Sequence, residues 1–301
     1  MDASRLHGIF APVTTPFAAW PNDAVDLAAF GANVRALIAQ GVHGIVIAGS
    51  TGEAAMLDEG ERAALATAAR REGPADRLVI LGCGGESTRV VVARTRAAQA
   101  VGVDAALVVA PHYYANAMST ALLRTHYLRV ADASPIPVIL YNIPKYAHFA
   151  LSAELVGELA QHPNVIGIKD SSGDLAMLGG YLTSQSATFS VLTGAGGLLL
   201  EGLEAGARGG ILAVADFAAP LALEVYARMA QRDRAGALAA QEPLRVFAKT
   251  IVAEGGVPAV KAAVDAVGMV GGACRGPLEA LSGSAHAAVA ALLAKEGAAV
   301  G

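Results

Sequence analysis

Eight short apolar runs of strand length, each followed by a longer helical stretch, occupy the chain up to residue 214. They lie at 8–13, 44–48, 78–81, 105–109, 138–141, 165–169, 189–193 and 211–214. Runs such as Ile45-Val46-Ile47 and Leu107-Val108-Val109 are continuously apolar, the pattern of strands covered on both faces in a parallel sheet. Helix starts separate them: Asp58 with Glu61 resembles a capping box, and Asp26 and Ser152 stand at similar positions. An open doubly wound sheet usually stops near five or six strands, so eight alternations favour closure. The expected fold is therefore α/β, a (β/α)8 TIM barrel. Beyond Pro220 the pattern is helical only, with breaks at Glu254-Gly255-Gly256 and Gly271-Gly272. The 301 residues exceed the roughly 250 of a minimal barrel. We therefore expect a barrel over 1–219 and a C-terminal helical extension over 220–301, both in one structural unit.

Composition excludes several function classes. Hydrophobic residues make up 54% of the chain, but much of this is alanine. No uninterrupted apolar run reaches the roughly 18 residues of a spanning helix, and the first residues carry no apolar secretory stretch. A soluble cytoplasmic protein without a membrane partner is expected. The net charge of −4 and the absence of a basic stripe argue against nucleic acid as a partner. The two cysteines, Cys83 and Cys274, form no CxxC pair, and the seven histidines form no HExxH. No metal or organic cofactor is expected.

Active sites of such barrels lie at the C-terminal ends of the strands. Three strand ends carry unusual residues. Lys169 closes Val165-Ile166-Gly167-Ile168, in a chain with five lysines against seventeen arginines. A lysine partly desolvated there is available as a neutral amine for attack on a carbonyl. A snorkelling lysine, or an ion pair with Asp170, suits the position equally. Tyr141 ends the preceding strand, about 4.8 Å away across the sheet. Its phenol is placed to carry protons at the lysine nitrogen, or simply to pack at the rim. The third is Gly49-Ser50-Thr51-Gly52-Glu53. Its glycines allow backbone N–H groups to point at a carboxylate, and its hydroxyls could relay protons; a polar turn is the alternative. A further cluster, Gly194-Ala195-Gly196-Gly197, suits a phosphate after the seventh strand, whereas Gly209-Gly210 precedes the expected eighth.

Together these sites resemble the dihydrodipicolinate synthase/N-acetylneuraminate lyase family of pyruvate aldolases. The markers are Pro12-Val13-Thr14-Thr15-Pro16-Phe17, Gly49-Ser50-Thr51-Gly52-Glu53, Pro111-His112-Tyr113-Tyr114, Tyr141-Asn142-Ile143-Pro144 and Gly167-Ile168-Lys169-Asp170. The resemblance runs from Gly8 to about Leu281. It implies that Lys169 forms a Schiff base with a small 2-oxo acid such as pyruvate, and that Tyr141 transfers protons. Ser50, Thr51 and Gly52 would bind the oxo-acid carboxylate, the two hydroxyls also assisting Tyr141. Tyr113 would enter a neighbouring subunit's site, implying a homotetramer built as a dimer of dimers. Ile211 would turn a backbone carbonyl to the pocket. Ser171 and Ser172 would contact substrate hydroxyls or cap the next helix.

Dihydrodipicolinate synthases carry an arginine two residues after the proline of the YNxP motif, gripping a second carboxylate. Here that position is Tyr146. Other stretches resemble 4-hydroxy-2-oxoglutarate aldolases, including Ser134-Pro135-Ile136-Pro137, Gln161-His162-Pro163-Asn164 and Cys274-Arg275 with Pro277-Leu278. Lys145-Tyr146-Ala147-His148 departs from both. The expected activity is cleavage of a 4-hydroxy-2-oxo acid to release pyruvate or glyoxylate. The alternatives are dihydrodipicolinate synthesis, a 2-keto-3-deoxy-sugar-acid aldolase or dehydratase, and a non-catalytic sensor of oxo acids.

Overall fold

A computed structural model describes residues 3–298. Its eight strands form a closed parallel barrel in chain order. They are β1 (Gly8–Ala11), β2 (Gly44–Ile47), β3 (Leu78–Gly82), β4 (Ala105–Val109), β5 (Val138–Asn142), β6 (Val165–Asp170), β7 (Ser190–Thr193) and β8 (Gly209–Ile211). The helices are α1 (Leu27–Ala39), α2 (Glu59–Glu72), α3 (Thr88–Ala100), α4 (Thr120–Ala133), α5 (Pro144–Ala147), α6 (Ala153–Leu159), α7 (Leu175–Leu182), α8 (Leu199–Ala205), α9 (Ala215–Ala230), α10 (Arg234–Phe247), α11 (Gly256–Ala266) and α12 (Gly283–Lys295). Met1 and Asp2, the start of the chain read above, lie outside the described residues.

The unbroken apolar runs follow from two cores. Phe10, Val46, Ile80, Leu107, Ile139 and Leu192 point into the barrel, where Ala3 and Leu6 of the N-terminal turn join them. Their chain neighbours Ile9, Ile45, Val79, Val108, Leu140 and Val191 point outward into the layer beneath the helices. With both faces dry, polar residues are confined to the strand ends.

One irregularity sets the register at the mouth. Val138 pairs with Val165, but the next residue, Ile139, pairs with Gly167. The skipped Ile166 is a bulge, so two consecutive β6 residues face inward. Gly167 allows this: a Cβ there would stand 2.4 Å from the Ser190 carbonyl and 2.7 Å from Leu6 Cδ2. Above the bulge Tyr141 pairs with Lys169 and Asn142 with Asp170.

Two details differ from expectation. β8 is Gly209–Ile211 rather than 211–214. Gly209 and Gly210 pair with Gly8 and Ile9, and a Cβ on Gly209 would lie 2.0 Å from the Gly8 carbonyl oxygen. The barrel seam thus needs the glycines inside the strand, and residues 212–214 turn into α9. Of the three helix starts, the complete capping box is at Asp58 and Glu61, while Asp26 and Ser152 cap through their own side chains.

α9 begins at Ala215, kinks at Ala218 and carries Pro220 within it. The boundary drawn at 219/220 falls at this kink. α10 continues into a π-helical turn, Ala248–Glu254, and α11 and α12 complete the C-terminal part. No helix among the described residues is long and apolar enough to cross a membrane.

Candidate active site

Lys169 and Tyr141 meet inside the mouth of the barrel, each 5% exposed. Lys169 Nζ stands 4.3 Å from the centroid of the Tyr141 ring. On the far side of the phenol, Ser50 Oγ is 3.4 Å from Tyr141 Oη. The three residues end β6, end β5 and follow β2, so the bulge and the loop turn together assemble them. Lys169 does not pair with Asp170. That carboxylate instead accepts hydrogen bonds from Asn142 Nδ2 at 2.8 Å, Ser172 N at 3.1 Å and Ser172 Oγ at 2.8 Å. Burial raises its pKa against these bonds. Strand alternation explains the separation: Lys169 points inward and Asp170 outward, under the helices.

The hydroxyl loop is a tight turn. Glu53 takes a left-handed backbone, φ 55° and ψ 40°, and Ala48 before the loop has φ 50°. The N–H groups of Gly52 and Glu53 donate to the carbonyls of Gly49 and Ser50. The nest expected from the glycines is thereby narrowed to Ser50 and Thr51. Gly52 is required for close approach, since a Cβ would stand 2.9 Å from the Val13 carbonyl. Its own carbonyl accepts from Thr15 Oγ1 at 2.8 Å. Thr51 is half-buried, and its hydroxyl makes no hydrogen bond among the described residues.

Ser171 and Gly194 bracket the lysine stem. A Cβ on Gly194 would fall 1.9 Å from Ser171 Oγ and 3.0 Å from Lys169 Cε, so only glycine leaves the amine its path. Neither serine caps α7; its N-cap is Asp174, which accepts from Ala176 and Met177. The glycine cluster is not built as a phosphate cradle. Gly196 packs on Val214, its carbonyl accepts from Gln241 Nε2 at 3.0 Å, and Gln241 Oε1 takes the Leu200 N–H at 3.0 Å. Ile211 is buried in the barrel interior at the end of β8. Just beyond it, Asp216 is buried with both carboxyl oxygens unpartnered. Burial pushes its pKa well up, and Lys169 opposes that shift.

A cavity of about 800 Å³ opens from Ser50 and Tyr141 toward β3 and β4. Leu107, Ile143, Tyr146, Val257 and Pro258 supply much of its wall. The Tyr146 phenol is held in its neutral form, its pKa raised by burial and then by Tyr141. The neighbouring Lys145 has Nζ 5.7 Å from the centre of the Tyr146 ring and donates to the Ala253 carbonyl at 3.3 Å. The arginines lining the cavity are engaged: Arg62 holds the Gly82 and Ala54 carbonyls, and Arg94 holds Glu59 and the Gly84 carbonyl. Tyr113 is not brought to this site within one chain. It is 77% exposed, beside Tyr114, with its backbone N–H on Glu86.

Two further polar groups support the site. Asn142 bridges Asp170 and the Leu151 N–H, fixing β5 against β6; its signal was its place after Tyr141 in the YNxP motif. Glu53 pairs with Lys261 in full burial, 2.5 Å apart. The loop glutamate was visible in the sequence, but nothing there pointed to Lys261, 208 positions away. Among the described residues no group of three or more His, Cys, Asp or Glu is placed to hold a metal ion.

Comparison with known proteins identifies the family. The family model described as the dihydrodipicolinate synthetase family matches residues 5–296. The chain is 32% identical to a 4-hydroxy-tetrahydrodipicolinate synthase of Methanospirillum hungatei over 92% of its own length and 94% of that protein. It is 38% identical to the synthase of the same name from Xanthomonas axonopodis pv. citri, covering 77% and 76%. Among solved structures, the E. coli K12 prophage protein YagE in complex with pyruvate superposes with TM-score 0.90 at 29% identity, covering 96% and 98%. The pyruvate complex of the Acinetobacter baumannii dihydrodipicolinate synthase gives TM-score 0.91 at 29% identity, covering 97% and 99%. Family model, relatives and barrel agree along nearly the whole chain: it belongs to the dihydrodipicolinate synthetase family and is a class I lyase of the Schiff-base type.

Proposed function

We propose that this lyase cleaves a 4-hydroxy-2-oxo acid to pyruvate and an aldehyde, with Lys169 as the Schiff-base residue. The observation that carries this reading is the Lys169–Tyr141–Ser50 array, amine over ring and phenol beside hydroxyl. The amine adds to the C2 carbonyl and water leaves, giving an iminium. Tyr141 Oη takes the C4 hydroxyl proton while its own moves to Ser50 Oγ and the proton of that hydroxyl passes to solvent, from which the enamine later takes one back. The C3–C4 bond then breaks, its electron pair moves into the iminium, and the aldehyde departs. Protonation of the enamine at C3 and hydrolysis release pyruvate and restore Lys169. In this reading the N–H groups of Ser50 and Thr51 receive the C1 carboxylate, and Ser171 Oγ a hydroxyl near the lysine. The pyruvate bound in YagE and in the Acinetobacter enzyme supports the choice of oxo acid.

The distal cavity wall supports an uncharged aldehyde half. Tyr146 offers one neutral hydroxyl, and the nearby cations already hold protein oxygens. A second carboxylate would lack the charge-assisted pair that an arginine supplies, about 1.5–3 kcal/mol. The 4-hydroxy-2-oxoglutarate expected from sequence should therefore be cleaved more slowly than a neutral homologue. The second reading, condensation of pyruvate with aspartate semialdehyde, is favoured by the names of the relatives at 32% and 38% identity. Comparing kcat/KM for that condensation with pyruvate release from a panel of 4-hydroxy-2-oxo acids decides between them. A condensation faster by tenfold or more overturns the retro-aldol assignment. A cytoplasmic homotetramer in which Tyr113 completes a neighbour's site belongs to the same proposal. Sedimentation velocity and the kcat of Tyr113→Phe test it.

A further inference from the structure

The best-buried ion pair among the described residues lies next to the hydroxyl loop and is not used in the chemistry above. Glu53 ends the turn that presents Ser50, in a left-handed conformation that a non-glycine residue keeps only where its surroundings hold it there. Its carboxylate reaches away from the cavity into the C-terminal part. Oε1 lies 2.5 Å from Lys261 Nζ on α11, with both side chains at most 2% exposed. Oε2 accepts the Arg275 backbone N–H at 3.0 Å. Lys261 also donates to the Ala273 carbonyl at 2.5 Å and sits 4.7 Å from the centre of the Phe17 ring. The Arg275 guanidinium lies 4.2 Å from the same ring centre, and its nitrogens hold Glu61 and the carbonyls of Met56 and Asp23. Glycine lets the strands of this knot close: a Cβ on Gly271 would strike the Lys261 carbonyl at 2.2 Å.

We propose that Glu53 is a positioning residue through which Lys261 and the segment 271–275 hold the Ser50 turn against Tyr141. This inference rests on the reading of Lys169 as the Schiff-base residue, with Tyr141 and Ser50 as its proton relay. Two facts point to positioning rather than to bulk stability alone. The pair lies one turn from Ser50, with the Glu53 N–H itself donating to the Ser50 carbonyl at 3.2 Å. And a buried ion pair is seldom more stabilising than an apolar replacement of similar volume, while it fixes geometry where both ends are hydrogen-bonded. The C-terminal extension is then part of the proton relay, acting through the turn rather than by touching substrate.

The test is kcat per active site, with sites counted as Lys169 trapped by pyruvate and borohydride. Lys261→Met removes the cation from outside the loop. Glu53→Gln/Lys261→Met removes both charges and leaves no uncompensated one, so it serves if the single variant does not accumulate as folded protein. The expected result is wild-type trapping stoichiometry with kcat per trapped site down roughly tenfold or more, as for a weakened general acid–base. Combined with Ser50→Ala, the loss should be less than the product of the separate losses, because both act on one relay. Variants that turn over within twofold of wild type per trapped site, whatever their melting temperature, overturn the proposal, as does full additivity with Ser50→Ala. A wild-type protein that traps no pyruvate overturns the reading beneath it; one that traps pyruvate separates the two failures.

Discussion

Tyr141 uses two parts of one side chain, the ring for Lys169 and the hydroxyl for Ser50, and Phe separates them. Tyr141→Phe should keep the packing at 5% exposure and lower kcat by about 10²–10⁴-fold, the usual cost of losing a general acid–base. Pyruvate trapping should slow as well, since carbinolamine dehydration uses the same proton; a variant within twofold of wild type moves that role elsewhere. Gly194→Ala attacks the amine instead. The new methyl would collide with Ser171 Oγ and crowd Lys169 Cε, so borohydride trapping should drop sharply while melting changes little. Undiminished trapping would show that the lysine reaches its substrate by another path. At this scale much was legible, because a lysine, a tyrosine and a hydroxyl pair each stood at a strand end. What escaped were relations of distance. The alternative of a Lys169–Asp170 ion pair fails through strand parity, and the helix cap offered to Ser171 and Ser172 belongs to Asp174.

Between elements, α3 and α4 meet at a polar contact, His126 Nδ1 on Thr88 Oγ1 at 2.9 Å. Burial pushes the His126 pKa down to about 4, with Glu86 opposing weakly. The unfolded chain therefore takes up this proton first, near the usual 6.5. Stability from this group is complete above pH 6.5 and is lost as pH falls toward 4, up to about 3 kcal/mol in all. His126→Gln keeps a partner for Thr88 and should flatten the fall in melting temperature across that window. A variant with the wild-type slope assigns the acid sensitivity to other groups. The strands themselves were readable because parallel strands covered on both faces are apolar at every position but their ends. β8 was misplaced for a related reason: its strand residues are two glycines and one isoleucine, while the apolar run after them is a turn. The bulge in β6 carried no signal at all, since Ile166 and Gly167 suit a regular strand equally well.

For the molecule as a whole, the two thiols offer a measure of how tightly the barrel stays shut. Both are free, Cys83 buried and Cys274 half-buried. Burial pushes the Cys83 pKa up to about 12, so the native state presents neither access nor thiolate. At pH 8 a thiol reagent should label Cys274 slowly and Cys83 only as denaturant opens the barrel, with a rate that follows global unfolding. Labelling of Cys83 as fast as Cys274 would instead reveal local opening at the end of β3. A different kind of vulnerability follows from the skipped residue in β6. Amine and phenol face each other because the bulge takes up the one residue by which that strand is out of step with its neighbour. Substitutions around the mouth can therefore retune the reaction in small increments. Loss of the skipped Ile166 would leave Lys169 opposite Tyr141, whereas gain of a single residue at the base of β6, some 10 Å below any chemistry, would put Ile168 opposite Tyr141, turn Lys169 out of the pocket and abolish the reaction in one event. The pairing is inherited whole or not at all.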